Sequence, residues 1–258
     1  MFELPAYLQR IGLSGTPSLH EMHRAHVTRI LFENLDPLVG IPVSIAPDAL
    51  ARKLVDARRG GYCFEQNMLF KAALEALGVR VEPMLARVRN GRPPIPAGPL
   101  THLLLRVQWG NAVWHADVGF GNGTLLEPIP FGPGGPYEQS GWRYRVVQEE
   151  QLLVLQTDSE GGWRDLYAFS PEPVPPIDIE VNNWFTCTHP ESPFVTRLIV
   201  TEHGADGTRT TLSDFGGDMV LSVQTPTDDR IPPTPVARED VPALLEQRFG
   251  LRGPEPED

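Results

Sequence analysis

The sequence predicts an α+β fold with an N-terminal helical bundle, a central β-barrel-like domain and a C-terminal α/β lid. Three observations lead to this prediction. Apolar residues recur at helical spacing in the first third of the chain, short alternating runs begin at Val79, and the composition changes again after the proline-rich stretch 171–176. We place the three parts at residues 1–80, 81–176 and 177–258.

Length and charge narrow the class of protein. The 258 residues are 41% hydrophobic, which is enough to bury a sizeable core. No apolar run reaches the roughly 18 residues of a membrane span, and the N-terminus lacks the apolar core of a signal peptide, so we expect a cytoplasmic protein with no membrane partner. A formal net charge of -11 argues against nucleic acid as a partner.

The helical bundle has recognisable end signals. Ser18 and Glu21 have the spacing of a capping box, and Gly78 suits the left-handed residue that often ends a helix. The predicted helices run from about Ser18 to Leu31, from Pro47 onward and from Phe64 to Leu77.

Three histidines recur in the first predicted helix at every third position, namely His20, His23 and His26. Positions with this spacing drift around a helix, and no cysteine cluster is near in sequence. We therefore expect surface or packing roles for them and no metal site.

Cys63 follows Gly60 and Gly61 and begins the third predicted helix. A thiolate at that place faces unpaired backbone N–H groups and the positive end of the helix dipole, which lower its pKa. The glycines are expected to let the chain turn sharply and to leave room for a substrate beside the sulfur. Because a free cysteine is more often a small buried residue, a catalytic role needs partners elsewhere in the chain.

Residues 101–121 supply such partners. Two apolar runs flank a Gly-Asn turn and predict a hairpin in which Arg106 faces His115. In that register His102 and Asp117 are diagonal neighbours across the two strands, within reach of each other. In this register Gly119 faces His102, and His115 lies four residues from Gly119, about 13 Å along the strand. The register therefore favours His102 over His115 as the partner of Asp117.

The rest of the chain is rich in short strands. In the barrel-like part they are predicted at 79–88, 102–109, 112–118, 143–148, 152–157 and 163–169. Glycine- and proline-rich links between them suggest a barrel or a strongly curved sheet. The last part is predicted to hold a helix at 177–185, strands at 194–202, 208–212 and 219–224, a helix at 240–249 and a frayed acidic tail at 254–258.

Cys63, His102 and Asp117 together form a set that suits nucleophilic catalysis, a cysteine-protease-like core. Asp117 would orient the imidazole and stabilise its protonated form, while His102 would take the Cys63 proton. The sulfur would then attack a carbonyl and carry the acyl group as a thioester. The Cys63 backbone N–H is one expected donor to the oxyanion.

The chain resembles the arylamine N-acetyltransferases in several motifs. These are RGGYCFEQN at 59–67, Thr101-His102 together with ADVGFG at 116–121, FENL at 32–35 and SPF at 192–194. The resemblance implies a catalytic triad of Cys63, His102 and Asp117 that moves acetyl by a ping-pong mechanism from acetyl-CoA to an arylamine or hydrazine, without a metal. It also implies that Phe32 and Phe120 line the acceptor pocket.

Two positions depart from the family pattern. Ile30 and Leu31 precede Phe32 where the family usually has Ile-Pro, and His115 is an unusual polar residue on the strand that leads to Asp117. Neither departure disturbs the triad, but both concern the acceptor side of the site.

Several functions share this chemistry. An amide synthase that closes a natural-product macrocycle, a thiol hydrolase or transglutaminase-like enzyme, and a catalytically idle relative that binds amines or CoA all fit, and propionyl or malonyl donors are open. The residues that bind the CoA phosphates are not identified. Lys53 and Lys71 are the only lysines, so arginines or backbone N–H groups would bind them. Cys187 is expected to be an inert, partly buried thiol.

Overall fold

The computed structural model describes residues 2–91, 98–159, 161–215, 217–227 and 231–253, so the predicted tail at 254–258 lies outside it. Helices α1 to α8 cover Leu4–Arg10, Leu19–Arg29, Leu35–Leu38, Pro47–Leu50, Cys63–Ala76, Pro176–Thr188, Pro193–Thr196 and Val241–Phe249. Strands β1 to β13 cover Phe32–Glu33, Arg80–Val88, His102–Trp109, Ala112–Ala116, Ile129–Pro130, Gly134–Gln139, Trp142–Glu149, Leu152–Ser159, Gly162–Phe169, Ile199–His203, Arg209–Phe215, Asp218–Gln224 and Thr234–Pro235.

The predicted helices of the first third are present. The capping box opens α2, because the Glu21 N–H donates to Ser18 Oγ across 3.3 Å and the Ser18 N–H donates to the Glu21 carboxylate across 2.7 Å. A π turn at Ala51–Asp56 continues α4, and its Leu54 is fully buried. Helix α5 is buried over most of its length and packs against β2 and β3, so it is the central helix of this part.

The central part is one antiparallel sheet with strand order β5-β4-β3-β2-β9-β8-β7-β6. It curves into a nearly closed barrel, which confirms the predicted α+β class. The hairpin register is also confirmed, because Trp109 pairs with Ala112 and Arg106 pairs with His115. Strand β6 at Gly134–Gln139 was missed, because its Gly-Gly-Pro start was interpreted as part of a turn-rich link, but it pairs with β7.

The predicted strand 112–118 is too long, because β4 ends at Ala116. The backbone N–H groups of the next two residues donate to side chains and not to a neighbouring strand. The Asp117 N–H donates to His23 Nε2 across 3.1 Å, and the Val118 N–H donates to Asn67 Oδ1 across 3.1 Å. The chain therefore leaves the sheet where Asp117 is needed.

A second sheet has the order β1-β10-β11-β12-β13, so a strand from the N-terminal third joins four from the C-terminal third. The predicted strand 194–202 is wrong at its start. Ser192 Oγ accepts a hydrogen bond from the Phe194 N–H across 3.3 Å, and with Pro193 in the first turn this forms the short helix α7. The division of the chain at 80 and 176 stays a prediction.

Candidate active site

Cys63 is the first residue of α5, and only 3% of its side chain is exposed. Its thiol donates to the Thr101 carbonyl across 3.5 Å, and its sulfur accepts from the Leu103 N–H. Since these two groups flank His102 in β3, the sulfur lies against the backbone that carries the imidazole. A Cβ at Gly119 would lie 3.0 Å from Cys63 Cα, so the chain after Asp117 can come this close only as glycine.

The turn before Cys63 is built differently from the sequence prediction. Arg58 has the left-handed φ of 53°, whereas Gly60 and Gly61 do not have a positive φ. A Cβ on Gly61 would lie 2.8 Å from Glu65 Cβ, and a Cβ on Gly60 would overlap the Leu31 carbonyl. The two glycines are therefore needed for close packing and not for the turn itself.

Asp117 is fully buried and accepts hydrogen bonds on both oxygens. The donors are Asn67 Nδ2 at 3.1 Å and the Gly119 N–H at 3.0 Å on Oδ1, and His102 Nε2 and the Tyr167 hydroxyl, both at 2.8 Å, on Oδ2. Burial by itself raises the pKa of the Asp117 carboxyl, but these donors, His102 first, hold that pKa well below its usual range. Asp117 is thus a carboxylate that can only accept.

Because Asp117 is a carboxylate with no hydrogen to donate, the His102 nitrogen that contacts it must carry the hydrogen. Nε2 donates to Asp117, so Nδ1 is the nitrogen that can take up a proton. The imidazole packs edge-on against Phe120 with ring centroids 4.9 Å apart and against Tyr167 at 4.7 Å. The pairing of His102 with Asp117 follows the predicted register.

Burial raises the pKa of the Cys63 thiol, and the N–H groups of Leu103, Phe64 and Cys63 itself oppose this effect without overcoming it. The N–H groups at the helix terminus act in the predicted direction, but the net shift is opposite to the predicted one because burial outweighs them. A buried sulfur loses its proton at low cost only to a base that is buried with it. His102 is the candidate for that base, since the sulfur lies against its backbone neighbours and a positive charge on its ring would face Asp117.

Three residues that contact Asp117 were given no part in the candidate site from the sequence. Asn67 lies one helical turn after Cys63, so its spacing could have revealed it as a residue on the same face of α5. Tyr167 comes from β9, 50 residues from Asp117, and no local pattern points to it. His23 accepts the Asp117 N–H as a neutral ring, because burial lowers its pKa to about 3.

The other predicted packing histidines also lie inside the fold. His26 is fully buried between Tyr7, 2.9 Å from its Nδ1, and Gln66, 2.6 Å from its Nε2. The His20 ring packs edge-on against Trp114 at 4.7 Å. Within the described ranges, no group of three or more His, Cys, Asp or Glu side chains is placed to hold a metal ion.

An ion cluster supports the start of α5. It consists of Glu33, Asp36, Lys53, Arg59 and Glu65. Lys53 Nζ lies 2.6 Å from both Asp36 and Glu65, and Arg59 lies 2.8 Å from Glu33 and 2.7 Å from Asp36. Glu65 also accepts the Tyr62 N–H across 3.0 Å. Burial, with the nearby Glu33 charge, raises the pKa of Glu65 to about 7 against the opposing effect of Lys53.

The two predicted pocket aromatics lie near the triad residues. Phe32 in β1 is 7% exposed, belongs to the same apolar cluster as Cys63, and faces Phe194 at 6.1 Å between ring centroids. Phe120 is half-buried and contacts His102. Asn34 holds this region together, because it donates to the carbonyls of Phe194 and Arg197 across 2.8 and 2.7 Å.

A surface cavity of about 130 Å³ is lined by Arg80, Glu82, Arg106, Gln108 and Val113. Its residues in β3 are Arg106 and Gln108, which lie about 13 and 20 Å from His102 along the strand at 3.3 Å per residue. Glu82 already pairs with Arg80 at 2.7 Å and with Arg106 at 3.6 Å. This cavity is therefore not part of the candidate site. Because Glu82 already pairs with both arginines, the cavity is also not a ready binding site for an anion.

Among the residues that the structure describes, no helix is both long and apolar enough to cross a bilayer. Cys187 is a free, buried thiol that donates to the Trp184 carbonyl across 3.7 Å. Its inert role stays a prediction.

Comparison with known proteins gives a consistent result. The sequence model of a family described as N-acetyltransferase matches residues 16–254. The chain is 44% identical over 208 residues to an arylamine N-acetyltransferase of Mycolicibacterium smegmatis, covering 77% of this chain and 75% of that protein. It is 34% identical over 255 residues to the arylamine N-acetyltransferase / N-hydroxyarylamine O-acetyltransferase of Salmonella typhimurium, covering 95% of this chain and 85% of the relative.

A solved structure agrees with these relatives. The arylamine N-acetyltransferase of Mycobacterium marinum, determined in complex with CoA, superimposes with a TM-score of 0.86 and 35% identity, covering 96% of this chain and 92% of that one. Both the sequence and the fold match over nearly the whole length. This chain therefore belongs to the arylamine N-acetyltransferase family.

Proposed function

We propose that this protein transfers an acetyl group from acetyl-CoA to arylamines or arylhydrazines through a thioester on Cys63. The observation that carries the proposal is the 2.8 Å hydrogen bond between His102 Nε2 and Asp117 Oδ2, beside a thiol that contacts the backbone on both sides of His102. Family membership supports the choice of substrates, and the solved relative binds CoA.

In the first half-reaction, Cys63 is the nucleophile. Its thiol proton moves to His102 Nδ1, and the sulfur attacks the thioester carbonyl of acetyl-CoA. As the C–S bond to CoA breaks, His102 returns the proton to the departing CoA thiolate. Asp117 stabilises the imidazolium throughout, which a buried site requires because no solvent screens the new charge.

In the second half-reaction, the amine nitrogen attacks the acetyl-Cys63 carbonyl. His102 takes the proton that the amine loses, the C–S bond breaks, and the proton returns to the Cys63 sulfur as the amide leaves. Both half-reactions pass through a tetrahedral oxyanion. The Cys63 backbone N–H lies in the first turn of α5, where N–H groups have no intrahelical partner, so we assign it as one donor to that oxyanion.

The acceptor would bind between the rings of Phe32 and Phe120. Phe120 contacts His102, so an amine held against this ring presents its nitrogen near the imidazole that must deprotonate it. A flat aromatic amine is stabilised by contact with such rings. Assignment of both residues to acceptor binding is part of the proposal, as are the cytoplasmic location and the absence of nucleic-acid and membrane partners.

The direct test uses acetyl-CoA alone. Intact mass spectrometry should show one added acetyl group on the wild-type protein, located on the Cys63 peptide, with release of one equivalent of CoA. Cys63→Ala should take up no acetyl group, whereas the matched variant Cys187→Ala should be acetylated like the wild type. Acetylation of Cys187, or of no residue in the folded wild type, would refute the proposal.

A second step separates the alternatives. Adding an arylamine to the acetylated protein should remove the acetyl group from Cys63 and form the amide. Hydrolysis of the same thioester by water should be much slower. If water discharges it as fast as amines do, a thiol hydrolase is the better description. If Cys63 is instead loaded from a long acyl thioester that carries its own aryl amine, and that amine attacks the Cys63 thioester to release a ring, the protein is an amide synthase. Loading with propionyl-CoA and malonyl-CoA measures the acyl preference in the same assay.

A further inference from the structure

His115 is a buried histidine that the proposed reaction does not use. It lies in β4, two residues before Asp117, and none of its side chain is exposed. Its Nε2 is 2.8 Å from the Tyr167 hydroxyl, and its ring packs edge-on against Phe169 at 5.2 Å. A polar side chain in this position needs a reason, because burying an imidazole costs free energy unless its groups are hydrogen-bonded.

The direction of each proton in this region follows from the acceptor state of Asp117. A carboxylate cannot donate, so the Tyr167 hydroxyl must point its hydrogen at Asp117 Oδ2. The phenol keeps that hydrogen because burial, and then the Asp117 charge, raise its pKa well above the usual value. The Tyr167 oxygen is therefore left as an acceptor toward His115.

His115 must consequently carry its hydrogen on Nε2 and donate it to Tyr167. Burial lowers the pKa of His115 to about 4, so the ring is neutral near pH 7 and Nδ1 is a bare lone pair. Nδ1 has no hydrogen-bond partner among the described residues. Leaving Nδ1 as an unpaired acceptor costs less free energy than leaving a buried N–H unpaired. The tautomer with its hydrogen on Nε2 therefore suits the surroundings of both ring nitrogens.

Tyr167 connects this donor to both members of the His102–Asp117 pair. Its hydroxyl shares Oδ2 with His102 Nε2, and its ring lies against the imidazole at 4.7 Å between centroids. The hydrogen bonds thus run in one direction, from His115 through Tyr167 to Asp117. Bonds in such a chain polarise one another, so a donor at the far end strengthens the last bond.

We propose that His115 is a positioning residue, which donates to the Tyr167 oxygen and thereby directs the Tyr167 hydroxyl onto the Asp117 oxygen that orients His102. The inference rests on the proposed function and adds a residue that acts through Tyr167 without touching the reacting atoms. It also explains a departure from the family pattern, since an apolar residue in this place could not donate.

The direction of the effect can be derived. A strong Tyr167 hydrogen bond spreads the negative charge of Oδ2, which makes Asp117 a weaker stabiliser of protonated His102. Without the His115 donor, Asp117 would hold His102 protonated to higher pH while leaving the imidazole less firmly oriented. The titratable groups that face this pair, from every element packed around it, are Cys63 of α5, His23 of α2, His115 of β4, Tyr144 of β7 and Tyr167 of β9.

The test measures the rate of Cys63 acetylation against pH in six proteins, the wild type, four single variants and one double variant. His115→Leu should lower the maximal rate about fivefold and move the acid limb of the profile up by about half a pH unit, because His102 accepts the Cys63 proton only in its neutral form. His115→Gln restores an N–H donor and should stay within about twofold of the wild type. Phe169→Leu perturbs the packing around His115 without removing a donor, so it should leave the pH profile in place.

The double variant decides whether the effect passes through Tyr167. Tyr167→Phe should reproduce the pH shift, and adding His115→Leu to it should cause no further loss, because His115 then has no hydroxyl to act on. If His115→Leu does not fold, His115→Met is the second apolar variant.

The inference is overturned if the losses in the two single variants simply add, or if His115→Leu has the profile of Phe169→Leu. A wild type that never acetylates Cys63 would instead refute the proposed function, so the two failures are distinguishable.

Discussion

Two buried polar clusters lie next to the start of α5, and they balance their charges in opposite ways. The ion cluster of Glu33, Asp36, Lys53, Arg59 and Glu65 sets three acidic groups against two cations within 2.6 to 2.8 Å. The carboxylate cluster has a single acidic group, Asp117, surrounded by hydrogen-bond donors, namely Asn67, His102, Gly119 and Tyr167. In the described part of the chain, none of the hydrogen bonds that Asp117 accepts comes from a lysine or arginine.

This difference separates a structural role from a chemical one. In the ion cluster the positive charges, on Lys53 and Arg59, are permanent. The electrostatic stabilisation is therefore gained when the chain folds, and it changes little during the reaction. In the carboxylate cluster the only one of these donors that could carry a positive charge is an imidazole, His102, which gains and loses a proton in the proposed reaction. Asp117 and its donors are therefore organised in advance to stabilise the protonated imidazole of that reaction. We expect substitutions in the first cluster to change stability and substitutions in the second to change rate.

The largest effect is expected from Asp117→Asn. The amide can present its NH2 to His102 Nε2, which removes the hydrogen from that nitrogen and makes Nδ1 a donor that cannot accept the Cys63 proton. Because the tautomer is then wrong, the acetylation rate should fall by about 10³- to 10⁴-fold with the fold retained. Single-turnover acetylation followed by mass spectrometry measures it, with circular dichroism to verify folding.

Asp36→Asn is the matched control for that experiment. It makes the same chemical change in the ion cluster, where Asp36 contacts Lys53 and Arg59. Its rate per folded molecule should stay within about tenfold of the wild type, since Asp36 touches neither His102 nor Cys63. Equal rate losses in the two variants would show that the clusters do not differ in the way described.

The next effect concerns stability, and the two lysines of the chain give a matched pair. Lys53→Met leaves the carboxylates of Asp36 and Glu65 without their shared cation, and both are largely buried. The free energy of unfolding should fall by about 3 to 5 kcal/mol, as it does when one partner of a buried ion pair is removed.

Lys71→Met makes the same replacement at the exposed end of α5. Lys71 pairs there with Glu75 at 2.7 Å, four residues along the helix, and the Glu75 side chain is 47% exposed. The expected loss is at most about 0.5 kcal/mol. Urea denaturation of both variants measures the two values, and similar losses would mean that the ion cluster contributes no more than a surface pair.

Much of the fold and the pairing of His102 with Asp117 could be predicted from local sequence. Alternation and turn residues are properties of short segments, so the 102–116 hairpin and its register were accessible. Capping residues likewise placed the ends of α2 and α5. The same local view failed for 194–202, where one serine and one proline convert a strand pattern into a helical turn.

What surrounds Asp117 was not accessible in this way. Tyr167 and His23 approach it from 50 and 94 residues away, one from strand β9 and the other from helix α2, so only the folded chain brings them together. The pKa of Cys63 was misjudged for a related reason. The helix terminus is visible in the sequence, but the burial that outweighs it depends on segments that pack over the thiol from elsewhere in the chain.

The smallest effect tests whether neutral buried histidines limit acid stability. Burial lowers the pKa of His203 to about 3, so the unfolded chain binds a proton there that the folded chain does not between pH 6.5 and 3. Stability contributed by the neutral form is therefore present above pH 6.5 and is lost as the pH falls. At pH 5 the loss is about 2 kcal/mol for such a group, and His23, His26 and His115 should behave alike.

His203→Gln isolates one of these groups, because His203 lies in β10 and contacts neither polar cluster. Between pH 7 and pH 5 the variant should lose about 2 kcal/mol less than the wild type in its free energy of unfolding, while its acetylation rate at pH 7 is unchanged. Urea denaturation at both pH values provides the comparison. If the two proteins have the same pH dependence, His203 is already protonated at pH 5 in the folded state. The loss of stability in acid would then arise from other groups, such as His23 and His115 near Asp117.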